Sequence, residues 1–117
     1  MCHAGPMGPT YEQAEKLENE KRFEEAAKLW EEIRETERAI AAYRRAGSGE
    51  RAAQLLEREG RRPEAAGMWA SVGQHARAAG LYESAHAYNH AARAYLNANM
   101  REKAAVMCEK GDDLENA

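Results

Sequence analysis

The chain has 117 residues, of which 32 % are charged and 44 % hydrophobic, with a net charge of −3. That length predicts one domain, and no stretch approaches the roughly 20 apolar residues of a membrane span. The opening MCHAGPMGPT lacks the apolar run of a secretory signal, and Cys2 and Cys108 suggest no disulfide framework, so a soluble, cytoplasmic protein with reduced thiols is expected.

After a flexible leader over 1–10, the sequence repeats every 13 residues from Tyr11 to Leu114, leaving a tail over 115–117. In chain order the repeats read YEQAEKLENEKRF, EEAAKLWEEIRET, ERAIAAYRRAGSG, ERAAQLLEREGRR, PEAAGMWASVGQH, ARAAGLYESAHAY, NHAARAYLNANMR and EKAAVMCEKGDDL. The fourth place is small or aliphatic: Ala14, Ala27, Ile40, Ala53, Ala66, Ala79, Ala92 and Ala105. The seventh is mostly large: Leu17, Trp30, Tyr43, Leu56, Trp69, Tyr82, Tyr95 and Cys108. Such self-similarity marks an architecture in which each repeat buries its faces only against neighbouring repeats.

Places 3, 4, 6, 7 and 10 are mostly apolar, an arc of roughly 160° on a helix at ~100° per residue, so each helix is expected to have neighbours on more than one side. Places 1, 2, 5, 8 and 9 are mostly polar or small and are expected to be solvated. Helix breakers gather at places 11 to 13, with Gly47, Gly49, Gly60, Gly73 and Asn99, and Gly111 one residue early. Glycine and asparagine tolerate the left-handed conformation that ends a helix, and Pro63 has no amide hydrogen to lose at the start of one. Each repeat is therefore predicted to be a helix of about ten residues and a short turn. No glycine or proline lies between Leu81 and Met100, but Ala85-His86-Ala87-Tyr88 sits where other repeats turn, and a break is predicted there. Isolated helices shorter than ~12–15 residues are marginal in water, so packing must hold these together. The predicted fold is an all-α solenoid, right- or left-curving, of about eight short antiparallel helices in about four hairpins.

The runs Ala26-Ala27-Lys28-Leu29-Trp30, Ala65-Ala66-Gly67-Met68-Trp69, Ala78-Ala79-Gly80-Leu81-Tyr82 and Ala91-Ala92-Arg93-Ala94-Tyr95 resemble tetratricopeptide-like α-solenoids. They are similar to the short-helix repeats of soluble NSF attachment proteins, clathrin heavy-chain-like segments and intraflagellar transport subunits. The 13-residue period departs from the 34-residue tetratricopeptide unit, so no ligand-binding position carries over. The resemblance implies a scaffold or adaptor.

The aromatic series at place 7 reads as wedges between helices rather than a ligand box. His75, His86 and His90 fall in or near turns, without a cysteine or carboxylate at zinc spacing, and read as surface or capping residues. Cys2 and His3 beside an amino terminus suit copper or nickel chelation only weakly. Serines at 48, 71 and 84 occupy no nucleophile elbow and Gly47-Ser48-Gly49 lacks the lysine of a phosphate-binding loop. Hence neither catalysis, metal nor cofactor is expected.

Charge is segregated: residues 11–36 sum to −4, 37–101 to +4 and 102–117 to −3. All ten basic residues of the middle stretch are arginines, whose planar fork suits carboxylate and phosphate. Arg44, Arg45, Arg51, Arg58, Arg61 and Arg62 fall in two consecutive repeats, and Arg44, Arg45, Arg58, Arg61 and Arg62 are the candidate partner-binding residues. Interleaved Glu50, Glu57, Glu59 and Glu64 argue against nucleic acid, because they repel phosphates and can pair with the arginines internally as a self-neutralised, solvated face; the functional alternative is an acidic protein or peptide partner. The expected function is a non-catalytic interaction scaffold within a larger assembly. The alternatives are a self-assembling structural solenoid, with homo-oligomer contact through the last repeat, and a regulatory helical domain of a larger enzyme.

Overall fold

A computed structural model of the protein describes residues 10–116, with side chains described through Asp112. Among the described residues it is all-α: α1 (Tyr11–Asn19), α2 (Phe23–Glu32), α3 (Thr36–Arg45), α4 (Gly49–Arg58), α5 (Arg62–Ser71), α6 (His75–Ser84), α7 (Tyr88–Asn97) and α8 (Arg101–Asn116). No described helix is long and apolar enough to cross a membrane. The chain divides at Ala52 and Ala53, inside α4, into two compact bodies. In the first, α1 packs on α2 and α2 on α3; in the second, α5, α6, α7 and α8 pack each on the next. Packing of each helix on its chain neighbour is the organisation of an α-solenoid.

One turn recurs. Place 11 is left-handed at Lys21, Arg34, Gly47, Gly60, Gly73, His86 and Asn99, with φ between 61° and 84°. Its amide donates to the carbonyl of place 8, and the amide of place 12 to that of place 7, as in Arg34 N to Glu31 O at 3.1 Å and Glu35 N to Trp30 O at 2.8 Å. This is the Schellman arrangement, which satisfies the orphan carbonyls of a helix end. The carbonyl of place 12 then accepts the first bond of the next helix, as in Ala39 N to Glu35 O. A single residue at place 12, with φ of −96° and ψ of 68° at Arg22, thus separates the left-handed residue from the following helix. The break between α6 and α7 falls at His86, φ 61°, although no glycine marks it. Only α1 among the helices with a described cap has a side-chain bond there, a capping box in which Thr10 and Gln13 exchange bonds of 3.1 and 3.0 Å.

Gly111 departs from the expectation that it is a breaker. It lies buried inside α8, which continues to Asn116. A β-carbon there would stand 2.9 Å from Asn89 Oδ1 and 3.6 Å from Tyr88 Cβ, so its role is close approach of α8 to α7.

The third and fourth places form the small core. Ala26 with Ala27, Ala65 with Ala66 and Ala78 with Ala79 have no exposed surface, and Trp30 and Trp69, one in each body, are the largest fully buried side chains. The two edge helices separate the roles of the apolar places. In α1 Ala14 is buried while Gln13 and Lys16 are exposed; in α8 Ala104 and Met107 are buried while Ala105 and Cys108 are exposed. At these two edges, places 3 and 6 therefore face the preceding helix and places 4 and 7 the side of the following one, although the aromatic at place 7 also reaches back to the preceding helix. This corrects the assignment of Ala105 and Cys108 to core places, because on α8 the face they occupy has no helix of the described chain upon it.

Candidate interaction surface

The aromatic at place 7 is the centre of a recurrent three-helix link. Trp30 donates from Nε1 to Glu18 Oε2 at 2.9 Å, Tyr43 from its hydroxyl to Glu31 Oε1 at 2.6 Å, and Tyr95 from its hydroxyl to Glu83 Oε1 at 2.6 Å. Trp69 donates in the same way to Glu57. The acceptor stands 12 residues before the aromatic in each case, at place 8 of the preceding repeat. On the other side stands place 2 of the following repeat. The guanidinium of Arg38 lies 5.0 Å from the Trp30 ring, that of Arg77 lies 4.4 Å from the Trp69 ring, and Lys103 Nζ lies 5.7 Å from the Tyr95 ring. Arg51, at the same place, lines one cavity with Tyr43 and pulls its phenol pKa down. Indole and phenol each present an apolar body and a polar tip, so one side chain can wedge the helices apart and still satisfy a carboxylate at the surface; the cation meets the negative ring face.

These rungs correct the expectation that glutamates at place 8 are merely solvated. Glu18, Glu31, Glu57 and Glu83 are acceptors for buried donors, a role visible in sequence only as a carboxylate 12 residues before, and a cation eight after, each aromatic. Where place 7 is Leu17 or Leu56 the pattern lapses: place 2 of the next repeat holds Glu25 or Glu64, and each pairs with the preceding turn. Arg22 Nη2 meets Glu25 at 2.6 Å, and Arg61 Nη2 meets Glu64 at 2.5 Å. The hydrogen bond from Arg61 holds the Glu64 carboxyl below the ordinary range. Burial, the Glu31 acceptor and its charge push the Tyr43 phenol up to about 12, against the opposing pull of Arg51. At Tyr95 the bond to Glu83 comes first and burial second, again giving about 12. Beside the Tyr43 rung, Lys28, Glu31, Glu32, Tyr43 and Arg51 line an open cavity of about 330 Å³.

The five candidate arginines fall in two groups. Arg44 and Arg45 close α3 in the first body, both exposed, with Arg45 5.0 Å over the Phe23 ring. Arg58 ends α4, Arg61 caps α5 and Arg62 begins it, all in the second body. Arg58 and Arg62 are exposed, while Arg61 is half-buried by its fork onto Glu64. The histidines do not converge. His86 Nδ1 lies 2.7 Å from Tyr88 Oη, His90 lies on Tyr82, and His75 at the start of α6 has a buried Nδ1 without a partner. Among the described residues no three His, Cys, Asp or Glu side chains are placed to hold a metal; Cys2 and His3 lie outside those residues. Comparison with family models, curated proteins and solved structures finds no match, so the tetratricopeptide likeness rests on the helical repeat alone.

Proposed function

We propose that the chain is a non-catalytic protein-interaction module, a scaffold or adaptor, whose partner is acidic. The observation that carries this reading is the exposure of Arg44, Arg45 and Arg62 at helix ends, with Glu57 and Glu64 already bonded within the chain. Glu57 serves Trp69, whereas Glu64 neutralises Arg61, so Arg44, Arg45 and Arg62 rather than Arg61 carry the reading. The test is binding of fluorescent polyglutamate to the intact chain. Arg44→Glu, Arg45→Glu and Arg62→Glu together abolish binding with helix content unchanged, and wild-type binding weakens as salt rises, since charge pairs are screened over ~8–10 Å. Loss of stability without loss of binding refutes the reading.

A second reading, self-association, draws on the open face of α8. Arg101, Ala105, Cys108 and Asp112 are all exposed and fall within one narrow sector at ~100° per residue. A second copy of α8 running antiparallel sets Arg101 against Asp112 and Ala105 against Cys108 in both directions, the self-complementarity a two-fold contact requires. Sedimentation over rising concentration tests it: Arg101→Asp weakens the dimer and adding Asp112→Arg restores it.

A further inference from the structure

Five repeats carry an aromatic at place 7, and in four the carboxylate 12 residues earlier accepts its polar hydrogen. The fifth, Tyr82, has Ala70 in that position. Its ring is half-buried on α6, and the exposed His90 of α7 stands at the cation's place, ring centroids 5.1 Å apart and tilted by 33°. On the α5 side there is also no bulk: a β-carbon added to Gly67 would lie 3.7 Å from the Tyr82 hydroxyl oxygen, and Ala70 one turn on ends at its methyl. The hydroxyl therefore points to a notch where its counterparts meet a carboxylate, with the donor kept, an imidazole ring at the place the cation holds elsewhere, and the acceptor missing.

We propose that this notch, between Gly67 and Ala70 of α5, Tyr82 of α6 and His90 of α7, binds an aspartate or glutamate side chain of a partner protein. The incoming carboxylate accepts from Tyr82 Oη as Glu31 and Glu83 do from Tyr43 and Tyr95, and lies beside the His90 ring. The proposal rests on the interaction-module reading and specifies one contact of the acidic partner. A single charge-assisted bond at an open surface gives weak affinity by itself, so the notch anchors one residue of a longer acidic segment.

The experiment is an NMR titration of the intact 117-residue chain with capped tetraglutamate, capped tetralysine serving as the control. Saturable shifts of the Tyr82 and His90 ring resonances are expected with tetraglutamate alone, weakened about tenfold in Tyr82→Phe by loss of one such bond. Ala70→Glu supplies the carboxylate from within the chain and raises the phenol pKa of Tyr82, as in the complete rungs. That variant folds with a rung added and no longer shows the peptide-induced shifts at Tyr82 and His90. Shifts confined to Arg44, Arg45, Arg58 and Arg62 overturn the notch and leave the interaction-module reading standing, as do Tyr82 shifts that persist undiminished in Ala70→Glu. Absence of any peptide-dependent shift anywhere in the chain overturns both.

Discussion

Replacing Glu57 by alanine removes the acceptor from an indole whose side chain is 1 % exposed. A hydrogen bond to a charged group contributes about 1.5–3 kcal/mol, and a buried donor left without a partner costs about 1–3 kcal/mol. Because Glu57 itself is exposed, water can reach part of the vacated space, and alanine recovers a few tenths of a kcal/mol in helix propensity. The expected net loss is therefore about 1–1.5 kcal/mol, or about 4–6 °C in Tm for a chain of this size. Glu57→Gln keeps an oxygen acceptor and loses about half as much. Glu59→Ala, on the exposed residue just after the same helix, stays within ±0.5 kcal/mol. Urea unfolding followed by circular dichroism gives the values, and a cycle with Trp69→Phe isolates the bond, since without the indole hydrogen the effect of Glu57→Ala falls near zero. In a Trp30→Phe background the fluorescence of Trp69 reports on the second body alone and registers the whole effect there. An unchanged midpoint for Glu57→Ala, or an equal loss with and without the indole, refutes the rung as a stabilising link.

Ala79, fully buried between helices, tolerates no added bulk, and Ala79→Leu overpacks the contact by about 1–3 kcal/mol, read as a lowered melting temperature. Arg34 adopts φ 64°, a conformation that strains a side chain by about 1–2 kcal/mol; Arg34→Gly relieves it against about 0.5–1 kcal/mol of added chain entropy, and thermal unfolding shows a small net gain. Tyr43 and Tyr95 ionise near 12 in the folded chain against about 10 when unfolded. The folded state thus holds more protons between those values, and the stability these phenols contribute is intact below pH 10 and is lost as pH rises through 12. Titration by tyrosinate absorbance shows two late phenols, and Glu83→Gln brings one of them down.

The chain's own residues determine the helices and the turns between them. The requirement at place 11 is local: one left-handed residue closes two carbonyls of the helix just ended, and Gly47, Gly60, Gly73 and Asn99 announce it. Lys21, Arg34 and His86 do not announce it, yet the period places them, because any residue can occupy that conformation at modest strain. The arc of apolar places likewise foretells neighbours on more than one side. Tertiary structure alone decided how that arc divides, with Ala104 and Met107 turned to the preceding helix and Ala105 and Cys108 away from it, since periodicity within one helix carries no information about which neighbour lies where. It also decided the use of Glu18, Glu31, Glu57 and Glu83. A carboxylate on the polar side of its own helix looks solvated until the next helix brings an indole or phenol to it, and that meeting depends on the angle between two helices, which no single repeat encodes.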